Sequence, residues 1–298
     1  MYESLRTPES RFKNLPDYPF IPNYIDVDGL RMHYVDEGDK SAPPVLMLHG
    51  EPSWSYLYRH MIPLFTDAGF RAVAPDLIGF GKSDKPVKIE DYTYSRHVNW
   101  LKTFIETLDL NDITLICQDW GALLGLRIAT EMESRFSRIV VGNGFLPTGE
   151  QKVPLAFQAW KSFAVYSPVF PVGMILNAGT ARWLSRREMA AYDAPFPSKA
   201  YKAGARAFPK LVPVSPDHEG AVENREAWVK LGAWNKPFLT SFSDGDPIMR
   251  GGDRYFQSRV PGAKGLSHRT VRGGHFLQED SPVEFANAAI DLIRSTPN

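Results

Sequence analysis

The stretch 115–125, LICQDWGALLG, decides how this chain is read. Residues 113–118 form an apolar run of the kind that makes a buried strand. From Trp120 the sequence WGALLGLRIATEM has the spacing of a helix. A strand that turns into a helix with almost no loop leaves one residue, Asp119, projecting at the apex, where such turns carry a nucleophile. Aspartate is also an ordinary helix N-cap. Its place between a buried strand and Trp120-Gly121 favours the reactive reading.

On either side of this turn the pattern repeats. PPVLMLHG (43–50) is a continuous apolar run ending at His49-Gly50, followed by a helical stretch near 55–68. FRAVAPDLIGFGKSD (70–84) is a short strand and a glycine-rich loop, and SRHVNWLKTFIETLDL (95–110) places Val98, Leu101, Ile105 and Leu108 on one helical face. RIVVGNG (138–144) is again a strand. YIDVDGLRMHYVDEG (24–38) alternates around Asp28-Gly29 as a two-stranded hairpin does. Alternating strands and helices predict a mostly parallel sheet with helices on both faces. The rhythm breaks over residues 147–226, which are rich in proline and aromatic residues. It resumes at KPFLTSFSDGDP (236–247) and HRTVRGGHF (268–276), with a last helix near 282–295. The expected organisation is a core of residues 1–146 and 227–298, with an inserted helical cap at 147–226. The cap would sit over the strand ends, where open α/β sheets bind ligands.

Bulk properties narrow the function. The 298 residues carry 34 Lys plus Arg against 34 Asp plus Glu, so no polyanion or anionic membrane is called for. No apolar run spans a bilayer, and the polar N-terminus does not read as a signal peptide, which sets a cytoplasmic expectation. A single cysteine, Cys117, excludes an internal disulfide and a multi-cysteine metal site. GFGKSD lacks the spacing of a phosphate-binding loop, and no dinucleotide fingerprint opens a helix.

Asp119, Asp246 and His275 each follow an expected strand. Taken singly, Asp246 in SDGDPI is turn chemistry and His275 in GGHF a hydrogen-bonded structural histidine. Taken together, their order is that of an α/β-hydrolase: nucleophile, acid, histidine. A carboxylate, with an ordinary pKa of about 3.9, is ionised at neutral pH and needs no activation. Attack on an acyl carbon would give a reactive anhydride. Attack on a saturated carbon bearing a good leaving group gives a plain ester. His275 would then activate water to hydrolyse that ester, with Asp246 orienting the ring. Backbone N–H groups of Glu51 and Trp120 would hold the oxyanion. A departing alkoxide needs a proton donor such as tyrosine, whereas a departing halide needs hydrogen-bond donors in a dry pocket. The indole N–H of Trp120, a donor with no acceptor capacity, suits an anion.

With these residues in place, the chain resembles the haloalkane dehalogenases, and most of all their first subfamily. The resemblance is carried by HGEPSWSYLYR (49–59), DLIGFGKSDKP (76–86), YTYSRHVNWL (92–101), CQDWG (117–121), DAPFP (193–197), AFP (207–209) and GGHFLQED (273–280). It implies an α/β-hydrolase core with a helical cap, and cofactor-free, metal-free hydrolysis of halogenated alkanes to a primary alcohol, halide and a proton. It implies a second halide-binding tryptophan from the cap, Trp160 in AFQAWKSF, and pocket roles for Phe157, Phe208 and Pro209. Other subfamily patterns place Asn after His-Gly, or a carboxylate after the sixth strand. Here those positions hold Glu51 and Asn143, so the acid falls to Asp246, with Asp244 its near competitor. Cys117 stands where the pattern has a small residue, usually glycine, and reads as packing. The partners expected are a small halogenated alkane, water and halide, on a monomer, with no nucleic acid or membrane.

Two rival functions remain open at this level. An epoxide hydrolase shares the fold and the Asp nucleophile, and would take its proton from cap tyrosines such as Tyr166, Tyr192 or Tyr201. A hydrolase scaffold used only for binding would usually have lost part of the triad, and all three members are present.

Overall fold

A computed structural model describes residues 2–296. Eight strands build one sheet: β1 (Asn23–Val27), β2 (Leu30–Glu37), β3 (Pro44–Leu48), β4 (Arg71–Pro75), β5 (Ile113–Gln118), β6 (Phe136–Gly142), β7 (Phe238–Ser243) and β8 (Arg269–Val271). Their spatial order is β1-β2-β4-β3-β5-β6-β7-β8. β2 runs antiparallel to its two neighbours, and all later pairs are parallel. The β1–β2 hairpin turns at Asp28 and Gly29, with φ of 56° and 77°. Two left-handed residues in a row match the twist of the strands they join.

β3, β5 and β7 are buried at every position, as expected of strands covered on both faces. The covering helices of the core are α1 (Ile62–Asp67), α2 (Tyr94–Thr107), α3 (Trp120–Glu131), α9 (Asp253–Arg259), α10 (Leu277–Asp280) and α11 (Pro282–Ser295). α3 is buried from Trp120 to Thr130, because it lies at the centre and is apolar nearly all round. Residues 55–68, expected as one helix, divide into a 3-10 turn at Ser55–Tyr58 and the short α1. Pro63 is the reason. Lacking an N–H, proline fits the first turn of α1 but could not continue a helix begun upstream.

Between β6 and β7 lie five helices: α4 (Leu155–Tyr166), α5 (Val172–Gly179), α6 (Arg186–Asp193), α7 (Ala203–Leu211) and α8 (Ala221–Leu231). α4 packs with α7, and α5 with α6. α8 packs on core helix α3. There the Asn224 amide receives a hydrogen bond from Arg127 at 3.3 Å and donates to Pro147 O at 2.8 Å, while the Trp228 indole donates to Leu146 O at 2.7 Å. The expected boundary at 226 falls inside α8. Among the described residues no helix is long and apolar enough to cross a membrane.

Candidate active site

The turn after β5 is as sharp as the sequence suggested. Asp119 has φ 51° and ψ −125°, a left-handed backbone that costs a residue with a Cβ roughly 1–3 kcal/mol. Two glycines make room for it. A Cβ at Gly121 would stand 1.9 Å from Leu48 O, and one at Gly50 would stand 2.4 Å from Asp119 Oδ1. The strained turn thus brings the carboxylate flush against the loop after β3. Glu51 N–H donates to Asp119 Oδ1 at 2.8 Å. Trp120 opens α3, so its N–H is one of the helix's initial donors, which lack an intrahelical acceptor.

His275 lies on the loop between β8 and α10, four residues beyond the strand end. Its Nε2 is 3.4 Å from Asp119 Oδ2, and its Nδ1 is 2.8 Å from Asp246 Oδ2. Asp246 is fully buried in the loop after β7 and also accepts from Ile248 N–H at 2.8 Å. Burial disfavours the imidazolium, but Asp246 and Asp119 outweigh it and raise the His275 pKa to about 10. Burial likewise works against the Asp246 anion, and His275 overrides it, leaving the carboxyl below its ordinary value. Asp244 faces elsewhere and accepts from Gly273 N–H at 3.1 Å.

Several residues that the sequence did not single out hold this geometry. The Gln118 amide lies 3.1 Å from His275 Nε2 and donates to His275 O at 3.2 Å. Asn143, at the position where another pattern has a carboxylate, acts as a clamp. Its amide nitrogen lies 2.8 Å from Ser243 Oγ, 2.9 Å from Gly274 O and 3.0 Å from His275 O, and its oxygen accepts from Ser243 N–H. Asp280 stitches the histidine loop to the segment after α5, accepting from Gly274 N–H at 2.7 Å and from Ala181 and Arg182 N–H at 2.8 Å. Neighbouring Glu279 pairs with buried Arg59 and with Arg182, and accepts from the Tyr192 hydroxyl. Nothing local marks these residues, since their partners are up to 220 positions away.

Asp119, Trp120 and His275 lie on the wall of a cavity of about 1180 Å³ between the core and helices α4, α5 and α7. Glu51, Phe145, Phe157, Trp160 and Pro209 also line it. Trp160 lies 5.9 Å, ring to ring, from both Phe163 and Phe170. Phe208, expected on the wall, is not among the lining residues. It is fully buried behind Trp120, 4.5 Å between rings, and is wedged against His97 and Phe80. α7 therefore turns Pro209 toward the cavity and Phe208 toward the core. Of the cap tyrosines, Tyr166 is 82% exposed, Tyr192 is buried against Glu279, and Tyr201 is not on the wall. Among the described residues the lining tyrosine is Tyr255, from core helix α9. Trp183 is 81% exposed and also off the wall. Cys117 is fully buried, and burial pushes its thiol far above the usual range, which keeps it protonated and unreactive. His60, Glu188 and Glu279 are spaced as metal ligands could be, but Arg59 and Arg182 already occupy both carboxylates.

A carboxylate on a strand-end turn, facing a histidine backed by an acid at the C-terminal edge of a mostly parallel sheet, defines an α/β hydrolase. The family described as alpha/beta hydrolase fold matches residues 43–282. Within it the chain belongs to the haloalkane dehalogenases. It is 55% identical over 287 residues to a haloalkane dehalogenase of Mycolicibacterium paratuberculosis, covering 95% of each chain. It is 53% identical to one of Psychrobacter cryohalolentis, covering 98% of this chain and 99% of that one. Among solved structures, the tetrameric haloalkane dehalogenase DpaA of Paraglaciecola agarilytica NO2 superposes with a TM-score of 0.91 at 38% identity, covering 97% of this chain and 98% of that one.

Proposed function

We propose that this haloalkane dehalogenase cleaves the carbon–halogen bond of halogenated alkanes in two steps, with Asp119 as nucleophile and His275 as general base. In the first step Asp119 Oδ2 attacks the halogen-bearing carbon from behind. A carbon–oxygen bond forms, the carbon–halogen bond breaks, and the halide leaves with the electron pair. Asp119 Oδ1 becomes the carbonyl oxygen of the ester, already held by Glu51 N–H, with Trp120 N–H as second donor. In the second step water attacks Cγ of Asp119 and gives its proton to His275 Nε2, while Asp246 stabilises the imidazolium. Collapse of the tetrahedral intermediate expels the alcohol, which takes the proton from His275. The second water hydrogen is then lost from the new Asp119 carboxyl to solvent, which returns the carboxylate and accounts for the proton released overall.

Trp120 and Trp160 are assigned to the halide, and Phe157 and Pro209 to the alkyl chain. Helices α4–α7 serve as the cap and α8 as part of the core. Every reacting group comes from one chain, so a monomer suffices for the chemistry, and the cytoplasm is the proposed setting. The observation that carries the reading is the pairing of Asp119 and His275 on the wall of an apolar cavity that Trp120 and Trp160 also line, with Tyr166, Tyr192 and Tyr201 off that wall. The two tryptophans suit a halide leaving group, and the placing of these cap tyrosines off the wall disfavours epoxide opening. The test is bromide or chloride release from a panel of brominated, chlorinated and iodinated alkanes, set against consumption of matched epoxides. Halide release without epoxide turnover is the expected result, and the reverse would make the chain an epoxide hydrolase.

A further inference from the structure

Glu51 supplies more than its backbone. Its side chain is 5% exposed, lines the cavity beside Asp119, and leaves Oε1 buried with no hydrogen-bond partner. An unpartnered buried carboxyl oxygen is costly unless something in the working enzyme satisfies it. Its neighbours are the two groups of the second step, since both Asp119 and His275 act on its charge. Burial, and then the Asp119 charge, hold the Glu51 carboxyl well above its ordinary value, with His275 pulling weakly the other way. Burial thus favours the neutral form of Glu51, and its Oε1 is an unpartnered acceptor on a residue that lines the cavity with Asp119 and His275.

Resting on the two-step reading above, we propose that the Glu51 side chain positions the hydrolytic water, with Oε1 accepting one water hydrogen while His275 Nε2 takes the other. A water attacking Cγ of Asp119 must point a lone pair at that carbon, so both its hydrogens need acceptors on the far side. His275 is one acceptor, and Glu51 Oε1 is the other. The halide lies elsewhere. In-line displacement drives it away from the carboxylate, whereas Glu51 is bonded to that carboxylate through its own N–H. The proton balance is unchanged, because the hydrogen held by Glu51 Oε1 stays bonded to the oxygen that enters Asp119 and is lost to solvent as the carboxylate is regenerated. The acid itself neither gains nor loses a proton. The Glu51 side chain is a positioning group for the second step, and only its backbone N–H takes part in the first.

The experiment compares Glu51→Leu and Glu51→Gln with the native enzyme, using 1-bromobutane in rapid-quench assays. Bromide release is read in the first turnover, and the alkylated Asp119 peptide is read by mass spectrometry. Glu51→Leu is expected to keep the burst of bromide near the native rate. Hydrolysis of the ester slows by about tenfold, so the Asp119 ester accumulates. Glu51→Gln restores a neutral acceptor and recovers most of the lost rate. If Glu51→Leu, folded by circular dichroism, hydrolyses its ester at the native rate, the proposal is wrong. A slowed burst with weakened bromide binding would move Glu51 to the halide side. A Glu51→Gln variant as slow as Glu51→Leu would mean that the ionised form is required. Absence of any alkylated Asp119, even when His275 is replaced, would instead overturn the two-step reading itself.

Discussion

On the core side of the cavity the reacting groups are held by polar contacts. Asp119 is fixed by a strained turn and by Glu51 N–H, His275 by Asp246, and its loop by Asn143 and Asp280. On the cap side the wall is a packing problem. Trp160 rests against Phe163 and Phe170, while Phe157 and Pro209 present apolar surface. The outer face of that side stays open, with Leu155 and Tyr166 each more than half exposed. The contrast assigns different physics to the two halves of the reaction. Moving protons and bonds demands fixed angles and distances, which backbone-anchored hydrogen bonds supply. Admitting an alkyl chain demands volume and dryness, which rings supply, and there each added methylene changes binding by only about 1–3 kcal/mol.

If the core side owns the chemistry, the largest loss comes from the acid. Asp246→Asn keeps the shape but removes the charge that steadies the imidazolium. It is expected to cut steady-state halide release by roughly a hundredfold or more, whereas Asp244→Asn, whose amide oxygen can still accept from Gly273 N–H, costs only a few-fold. The opposite ranking would hand the role to Asp244. The cap side is tested next. Trp160→Phe keeps the ring and deletes the N–H, and a hydrogen bond to a charged group is worth about 1.5–3 kcal/mol. Bromide affinity, read by tryptophan fluorescence quenching, and single-turnover carbon–halogen cleavage should each fall roughly tenfold to a hundredfold. Native behaviour in both would remove Trp160 from the halide site.

A pH series separates the two steps within the core side. In the free enzyme His275 has a pKa of about 10, so it is an imidazolium at neutral pH. Forming the ester turns Asp119 neutral and removes one of the two charges that raise this value, so the pKa falls below 10. Asp246 remains and keeps it above the ordinary 6.5. Hydrolysis needs the neutral ring. Its rate should rise with pH and level off with a midpoint between these limits, while alkylation, which does not need the neutral imidazole, stays flat there. Stopped-flow measurement of both steps checks this, and a hydrolysis rate that is flat or falls with pH contradicts it. The smallest expected effect is at the stitch between core and cap. Asp280→Ala deprives three backbone N–H groups of their acceptor and should lower stability by about 1–3 kcal/mol in urea unfolding, with turnover reduced several-fold.

The parts of this machine that were legible in the sequence are those governed by local rules. The strand-to-helix turn at Asp119 follows from an apolar run meeting a helical pattern. The Asp28-Gly29 hairpin follows from left-handed turn chemistry. The choice of Asp246 over Asp244 matches the carboxylate that lies 2.8 Å from His275. What stayed hidden depends on which way a side chain turns after folding. Phe208 and Pro209 are adjacent, yet one backs Trp120 and the other faces the cavity, because a helix splits neighbours between faces. That residue 226 lies inside α8 was hidden, because this helix packs by polar contacts to Arg127, Leu146 and Pro147, which leave little trace in hydropathy. Asn143 looked like a missing acid, and only the spacing to Ser243 and Gly274 makes it a clamp.

The central claim is that Asp119 carries the alkyl group between two separable steps. Replacing His275 with Gln should leave the first step possible and stop the second. Mass spectrometry of the His275→Gln variant after exposure to 1-bromobutane should show one butyl group on the peptide containing Asp119, with about one bromide released per chain. An unmodified Asp119 peptide in that variant, while the native enzyme turns over the same substrate, would contradict the account.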